Sequence, residues 1–164
     1  MRIKGERSLT VLSHGSRALP LLLLATLIIS CESATTVSID GKVPPTFEMT
    51  GSGEMVFFIV REISPDNQKL APAQRDSRKD SVLWQIAPDA LSSSEKVVSR
   101  LPGITYAVVP KGFVQKRPES DAPPALVEGK VYEAGGPATN AQGGFVWFTI
   151  RGGKTIQVEE PTGQ

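Results

Sequence analysis

Apolar and polar residues alternate along most of the chain after residue 34. This alternation is rich in Val, Ile and aromatic side chains, and it predicts β-strands. Thirteen prolines and fifteen glycines in the whole chain separate the alternating segments. Short strands with frequent turn signals predict an all-β fold, an antiparallel sandwich of about seven or eight strands. The predicted strands are 35–40, 46–51, 54–63, 81–87, 104–109, 125–134, 144–150 and 154–159.

The connections between these strands carry their own signals. Arg151, Gly152 and Gly153 predict a short hairpin turn, because glycine adopts positive φ without strain. Residues 88–100 predict one short helix with Asp89 as its N-cap. Residues 64–80 and 115–124 are polar and predict loops. We expect the first of these loops to be a flexible insertion, because it contains little that could form a core.

The first thirty residues show a different pattern, a basic start followed by an apolar run. Arg2, Lys4, Arg7 and Arg17 oppose one acid, Glu6. The apolar run Leu19–Ile29 has 11 residues, whereas a transmembrane helix needs about 20. A buried helix would need an amphipathic face, which this run lacks. The pattern therefore predicts a secretory signal peptide over residues 1–30.

The chain's single cysteine, Cys31, follows this leader directly. The run Ile28, Ile29, Ser30, Cys31 resembles the lipobox of bacterial lipoproteins, and the alternative is a free cysteine that happens to end a leader. The resemblance implies cleavage by signal peptidase II before Cys31 and a diacylglycerol group on its sulfur. Two or three acyl chains on one residue would hold a protein on a membrane almost permanently.

This resemblance also implies a location and a domain plan. Lipoproteins with aspartate after the cysteine tend to stay at the inner membrane. Glu32 stands at that position here, so we expect the outer membrane if the cell has one. We predict a leader at 1–30, a short lipidated tether at 31–36 and a single sandwich domain at 37–160.

Removal of the leader changes the charge and the chemistry of the chain. The leader holds four of the 18 basic and one of the 17 acidic residues, which leaves 14 and 16 and a net charge of −2. This balance argues against nucleic acid as a partner. His14, the single histidine, is lost with the leader. Without histidine or a free thiol, we predict no triad, no zinc site, no cofactor and no enzymatic activity.

A second resemblance concerns the segment Leu101, Pro102, Gly103 and Tyr106. It is similar to the tyrosine corner of immunoglobulin-like and fibronectin type III domains. The resemblance implies that the Tyr106 hydroxyl bonds back to the backbone a few residues upstream. The alternative is an ordinary Pro-Gly turn before a strand.

Some predicted strands are apolar on both faces. Phe145 and Trp147 lie on one face of their strand, and Val146, Phe148 and Ile150 lie on the other. A sandwich strand normally exposes one of its two faces to solvent. A neighbouring loop or helix could cover the second face. The functional alternative is a docking face for a protein, a glycan or a lipid, with Trp84, Phe145 and Trp147 as contacts.

Three functions follow from these features. The first is a non-enzymatic envelope module, anchored in the membrane, that binds another envelope component or has a structural role. The second is a small carbohydrate-binding module with exposed aromatic side chains. The third is an enzyme that uses carboxylates alone, about 5–10 Å apart in a cleft. Trp84 and Trp147 in one exposed plane would favour the second function, and burial of both would favour the first.

Overall fold

A computed structural model describes residues 34–91 and 96–162 of the chain. It confirms the predicted all-β fold, because 46% of the residues are in strands and 10% in helices. A three-stranded and a seven-stranded antiparallel sheet pack together as a sandwich. In the described part of the chain, no helix is long and apolar enough to cross a membrane.

Ten strands and one short helix make up the described part. The helix α1 covers Pro65–Gln68, and single 3-10 turns cover Pro72–Gln74, Ser77–Lys79 and Val98–Arg100. The strands are β1 (Thr36–Ile39), β2 (Thr46–Thr50), β3 (Glu54–Met55), β4 (Phe58–Glu62), β5 (Ser81–Pro88), β6 (Ile104–Thr105), β7 (Phe113–Arg117), β8 (Val131–Thr139), β9 (Ala141–Arg151) and β10 (Lys154–Val158).

The small sheet has the strand order β1-β2-β6, and the large sheet has the order β10-β9-β8-β4-β5-β7. The short strand β3 pairs with the end of β8. The predicted hairpin at Gly152 and Gly153 is confirmed. Both glycines have positive φ, and Arg151 faces Lys154 across the turn.

A continuous row of aromatic rings fills the space between the two sheets. Phe47 of the small sheet contacts Phe58 and Phe148 of the large sheet, at centroid distances of 5.2 and 5.6 Å. The row continues from Phe148 to Tyr132 and from Phe58 through Trp84 to Tyr106. Aromatic pairs add to the free energy of burial, so this row contributes to the packing of the two sheets.

Three predicted strands differ from the observed ones. The segment 54–63 is two strands, because Val56 leaves the ladder and its N–H bonds to the carbonyl of Pro137 instead. Met55 and Phe58 consequently both face the core, in place of the predicted alternation. The segment 104–109 pairs at two residues only and turns at Ala107, which has positive φ. The strand predicted at 125–134 begins only at Val131.

The tyrosine corner predicted at Tyr106 does not form. The Tyr106 hydroxyl donates to the carbonyl of Pro124, 18 residues downstream, at 2.7 Å. The expected geometry occurs instead at Tyr132, at the start of β8. Its hydroxyl bonds to both the N–H and the carbonyl of Val127, five residues upstream. Gly129 precedes Tyr132 by three positions, the same spacing that Gly103 has to Tyr106.

The predicted loops also need correction. In 88–100, the helical residues that the structure describes are Val98–Arg100, and their N-cap is Val97. Asp89 lies between the end of β5 and the turn that begins at Ala90, and it accepts a hydrogen bond from the N–H of Leu91. The loop predicted at 115–124 starts too early, because residues 115–117 belong to strand β7. Burial in this strand decreases from Phe113 to Arg117 and does not alternate between its faces. Residues 34–36, which the prediction placed in the tether, already belong to the fold, because Ala34 bridges to Gln142 and β1 begins at Thr36.

Candidate docking face

The structure separates the three aromatic residues that the sequence suggested as partner contacts. Trp84 is fully buried in the core, so its prediction as a surface contact is wrong. Its indole N–H donates to Gln115 Oε1 at 3.1 Å, which satisfies the one polar atom of the ring. Phe145 is 44% exposed and Trp147 is 8% exposed. Ile28, Ile29, Ser30 and Cys31 lie outside the described residues.

Trp147 and Phe145 lie on the outer face of the large sheet, the face opposite the aromatic row. Their neighbours in β9, Val146 and Phe148, point into the core. The guanidinium of Arg75 covers Trp147, with its carbon 4.8 Å from the ring centroid. The predicted covering of this second face by a neighbouring loop is therefore confirmed at Trp147, and the covering segment is 64–80.

The segment 64–80 has a defined structure, not the expected flexible one, and Asn67 organises it. The Asn67 side chain is fully buried. Its amide donates to the carbonyl of Asp76 and to Asp80 Oδ1, both at 2.8 Å, and its oxygen accepts from the N–H of Asp76. Asp80 also accepts from the N–H of Ser64, at the other end of the segment. A polar centre therefore replaces an apolar core here.

This arrangement positions Arg75, which joins three parts of the chain. Its Nε donates to the backbone carbonyls of Asn67 and Leu70. Its terminal nitrogens bind Glu160, at 3.1 Å, and the carbonyl of Pro161. The guanidinium thus fixes the end of the chain beside Trp147.

Glu133 is a buried carboxylate on the same outer face. Both Nε and Nη2 of Arg61 lie 2.5 Å from its Oε2. Burial raises the pKa of Glu133 above its usual value, although the Arg61 guanidinium opposes this effect. The carboxylates of Glu160 and Asp80 raise the pKa further. A buried charge of this kind is stable only because it is paired and hydrogen-bonded.

Between Glu133 and the edge strand β10 lies an open groove of about 400 Å³, which we call the outer-face groove. Its apolar lining comes from β9 and β10, and Phe145 is its most exposed aromatic side chain. Ile156 continues the apolar surface along β10 and is 43% exposed. The residues that line the groove are Glu133, Phe145, Val146, Trp147, Gln157, Val158, Glu159 and Glu160.

The acidic side chains that line the outer-face groove already have partners in two cases. Its most buried carboxylate, Glu133, is already engaged by Arg61. Glu160 is engaged by Arg75. Within residues 34–91 and 96–162, no group of three or more His, Cys, Asp or Glu side chains could hold a metal ion. The groove therefore presents the exposed ring of Phe145 beside acidic side chains, and Ile156 extends the apolar surface outside the groove.

The sequence pointed to two residues that line the groove, Phe145 and Trp147. It did not point to Glu133, which also lines the groove, or to Arg75 and Asn67, which hold the segment 64–80 beside it. All three missed residues are polar. Their burial depends on partners that are distant in the sequence, such as Arg61 for Glu133, 72 positions away. The signal that could have found Glu133 is its position between Tyr132 and Ala134 in a strand that is otherwise small or apolar.

Comparison of the chain with protein-family models, with curated proteins and with solved structures found no match.

Proposed function

We propose that this chain is a lipid-anchored protein of a bacterial cell envelope, and that its sandwich domain binds another envelope component. The observation that carries the proposal is the run Ile28, Ile29, Ser30, Cys31 at the end of an apolar leader. Acyl chains on Cys31 would hold the protein on the membrane after cleavage. Glu32 in the next position supports the outer membrane, where the cell has one.

The outer-face groove supports a binding role for the domain. Phe145 lines the groove and is the one exposed aromatic side chain among the described residues, and Ile156 exposes further apolar surface beside it. Trp84 and Trp147 are both buried and share no exposed plane. This burial favours a protein partner over the carbohydrate-binding alternative, because sugar-binding modules of the kind considered would use exposed indole rings.

Acyl labelling in a bacterium tests the anchor. The full chain and its Cys31→Ala variant are expressed with a labelled fatty acid, and the membranes are separated from the soluble fraction. We expect label and tight membrane association in the full chain, and neither in the variant. Glu32→Ala is the matched control, since it keeps the run 28–31 and should still be labelled. Labelling of Cys31→Ala would contradict the proposal.

Crosslinking in intact cells tests the groove. A Phe145→Ser variant removes the exposed ring without touching the core, and it should lose the crosslinked partner seen with the unchanged protein. Val127→Ser is the matched control, because Val127 is 54% exposed and does not line the groove. Equal crosslinking of both variants would exclude the groove as the binding surface. Binding of purified protein to envelope polysaccharide would favour the carbohydrate-binding alternative.

A further inference from the structure

The start of the folded domain lies very close to Cys31 in the sequence. Ala34 bridges to Gln142, and the N–H of Thr35 donates to the Gln142 carbonyl at 2.9 Å. The Thr35 hydroxyl donates to the carbonyl of Ser52. Three residue steps separate Cys31 from Ala34, so these two residues lie at most about 10 Å apart. One end of the sandwich is therefore constrained by whatever holds Cys31.

We call this region the anchor end, and three connections of the fold meet there. They are the turn between β8 and β9 at Asn140, the turn between β2 and β3 at Ser52, and the segment 88–91 after β5. Glu54 pairs with Thr139, which joins the first two. The segment 88–91 borders the other two connections across an open depression of about 340 Å³. The lining of this depression includes Glu54, Val56, Pro88, Ala90 and Thr139.

The anchor end exposes apolar side chains. Leu91 is 93% exposed and Val56 is 44% exposed. Its charges are partly neutralised, because Lys96 Nζ lies 2.8 Å from a carboxylate oxygen of Glu54. Single exposed apolar residues are common and by themselves indicate nothing. Here, however, they lie on the one end of the domain that a lipid anchor on Cys31 would hold against a membrane.

We propose that the anchor end rests on the lipid bilayer, with Leu91 and Val56 in contact with the headgroup region. This inference rests on the proposed lipid anchor. The opposite end must then face away from the membrane, because the extended chain from Ala34 to Asp40 covers about 20 Å. Val43 lies beyond Asp40 at that opposite end and is 46% exposed. The outer-face groove lies midway along β9, so it would open sideways, toward neither the membrane nor the far end of the domain.

A reporter at one position on each end tests this orientation. Acylation would occupy Cys31, so a cysteine introduced elsewhere would be the single free thiol of the mature protein. Leu91→Cys and Val43→Cys place that thiol at exposed sites where no core contact is lost. Each lipidated variant is labelled with an environment-sensitive fluorophore and reconstituted into vesicles of phosphatidylethanolamine and phosphatidylglycerol. We expect a blue shift and quenching by lipid-borne quenchers at position 91, and neither at position 43.

The design separates failure of the orientation from failure of the anchor. Acyl labelling is measured on the same two variants before reconstitution. If both are lipidated and position 91 shows no shift, the anchor stands and the orientation is wrong. A shift at both positions also overturns the orientation, because the domain would then lack a defined membrane end. If neither variant is lipidated, the proposed function itself fails, and the orientation fails with it.

Discussion

At the scale of single residues, the two tryptophan rings differ in the polar group that accompanies their burial. Trp84 donates its N–H to Gln115 and lies entirely in the core. Trp147 lies on the outer face and is covered by the guanidinium of Arg75. The two rings are therefore buried by different kinds of contact, and only the second contact is easily removed.

Removal of Arg75 tests this contact. Arg75→Ala should expose the Trp147 ring and free Glu160 and Pro161 from their contacts with the guanidinium. The exposed ring should show stronger collisional quenching of its fluorescence by a neutral quencher. Loss of the cation–π contact and its hydrogen bonds should lower the free energy of unfolding by about 1–2 kcal/mol. Arg78→Ala is the control, because Arg78 is highly exposed and pairs only with Asp76 among the described ion pairs. Equal quenching of the two variants would contradict the assignment.

Tyr106 gives the protein a sensitivity to alkaline pH. Burial raises the pKa of Tyr106 to about 12 from the ordinary value of 10.0, and the nearby Tyr132 adds to the effect. The unfolded chain therefore loses this proton first as the pH rises. Stability should fall between about pH 10 and pH 12, because over that range the folded state binds the proton more tightly. Denaturant unfolding at several alkaline pH values measures the fall.

Tyr106→Phe provides the comparison for this pH dependence. The variant loses the hydrogen bond to Pro124 and should be less stable at neutral pH by about 1 kcal/mol. Its stability should decline less steeply than that of the unchanged protein above pH 10, since the titrating group is gone. A decline of the same slope in both proteins would show that Tyr106 does not titrate in this range.

At the scale of elements, the segment 64–80 is held together by one buried amide. Asn67→Ala would leave the N–H of Asp76 without its side-chain acceptor and would remove two donors. We expect a loss of about 2 kcal/mol in the free energy of unfolding. We also expect faster proteolysis within 64–80, because the helix and the two 3-10 turns of this segment contain no buried residue other than Asn67. Limited proteolysis followed by mass spectrometry locates the cut.

Lys69→Ala is the matched control for this segment. Lys69 is exposed and lies two residues from Asn67. The control should keep the stability and the protease resistance of the unchanged protein. Faster proteolysis of Lys69→Ala would indicate that the segment opens for reasons unrelated to Asn67.

The elements that could be predicted from the sequence are those with strong local patterns. Strands β1, β2, β5, β9 and β10 lie where runs rich in β-branched and aromatic residues predicted strands. The turn at Gly152 and Gly153 follows from glycine's conformational freedom. β7 was missed because Phe113 is its single buried residue. The break between Met55 and Phe58 was missed because it depends on the carbonyl of Pro137, which is distant in the sequence.

The candidate site was less predictable than the fold for the same reason. Phe145 and Trp147 could be identified because two-sided apolar strands are unusual. Which of the two rings would remain exposed depends on Arg75, because its guanidinium covers Trp147. That guanidinium is held there by Glu160 and by the backbone carbonyls of Asn67, Leu70 and Pro161. Polar contacts of this kind leave no periodic pattern in the sequence.

At the scale of the whole molecule, the core cluster of the described residues lies within 37–150. A chain that begins at Glu32 should therefore fold, with a melting temperature close to that of the full chain. A chain that begins at Asp40 should be much less stable, because it lacks β1 and the buried Val37. Thermal unfolding, followed by circular dichroism, gives the melting temperatures of the full chain and of the two shortened chains. Failure of the longer soluble chain to fold would show that earlier residues contribute to the core.

The contacts of Arg75 with Glu160 and Pro161 have a practical consequence for experiments. A peptide fused after these residues would begin near the outer-face groove, which Glu160 and Phe145 both line. A purification tag at that position could mask the very contact that a capture experiment is meant to detect. A handle inserted among the exposed residues 119–122 would keep that side of the molecule clear.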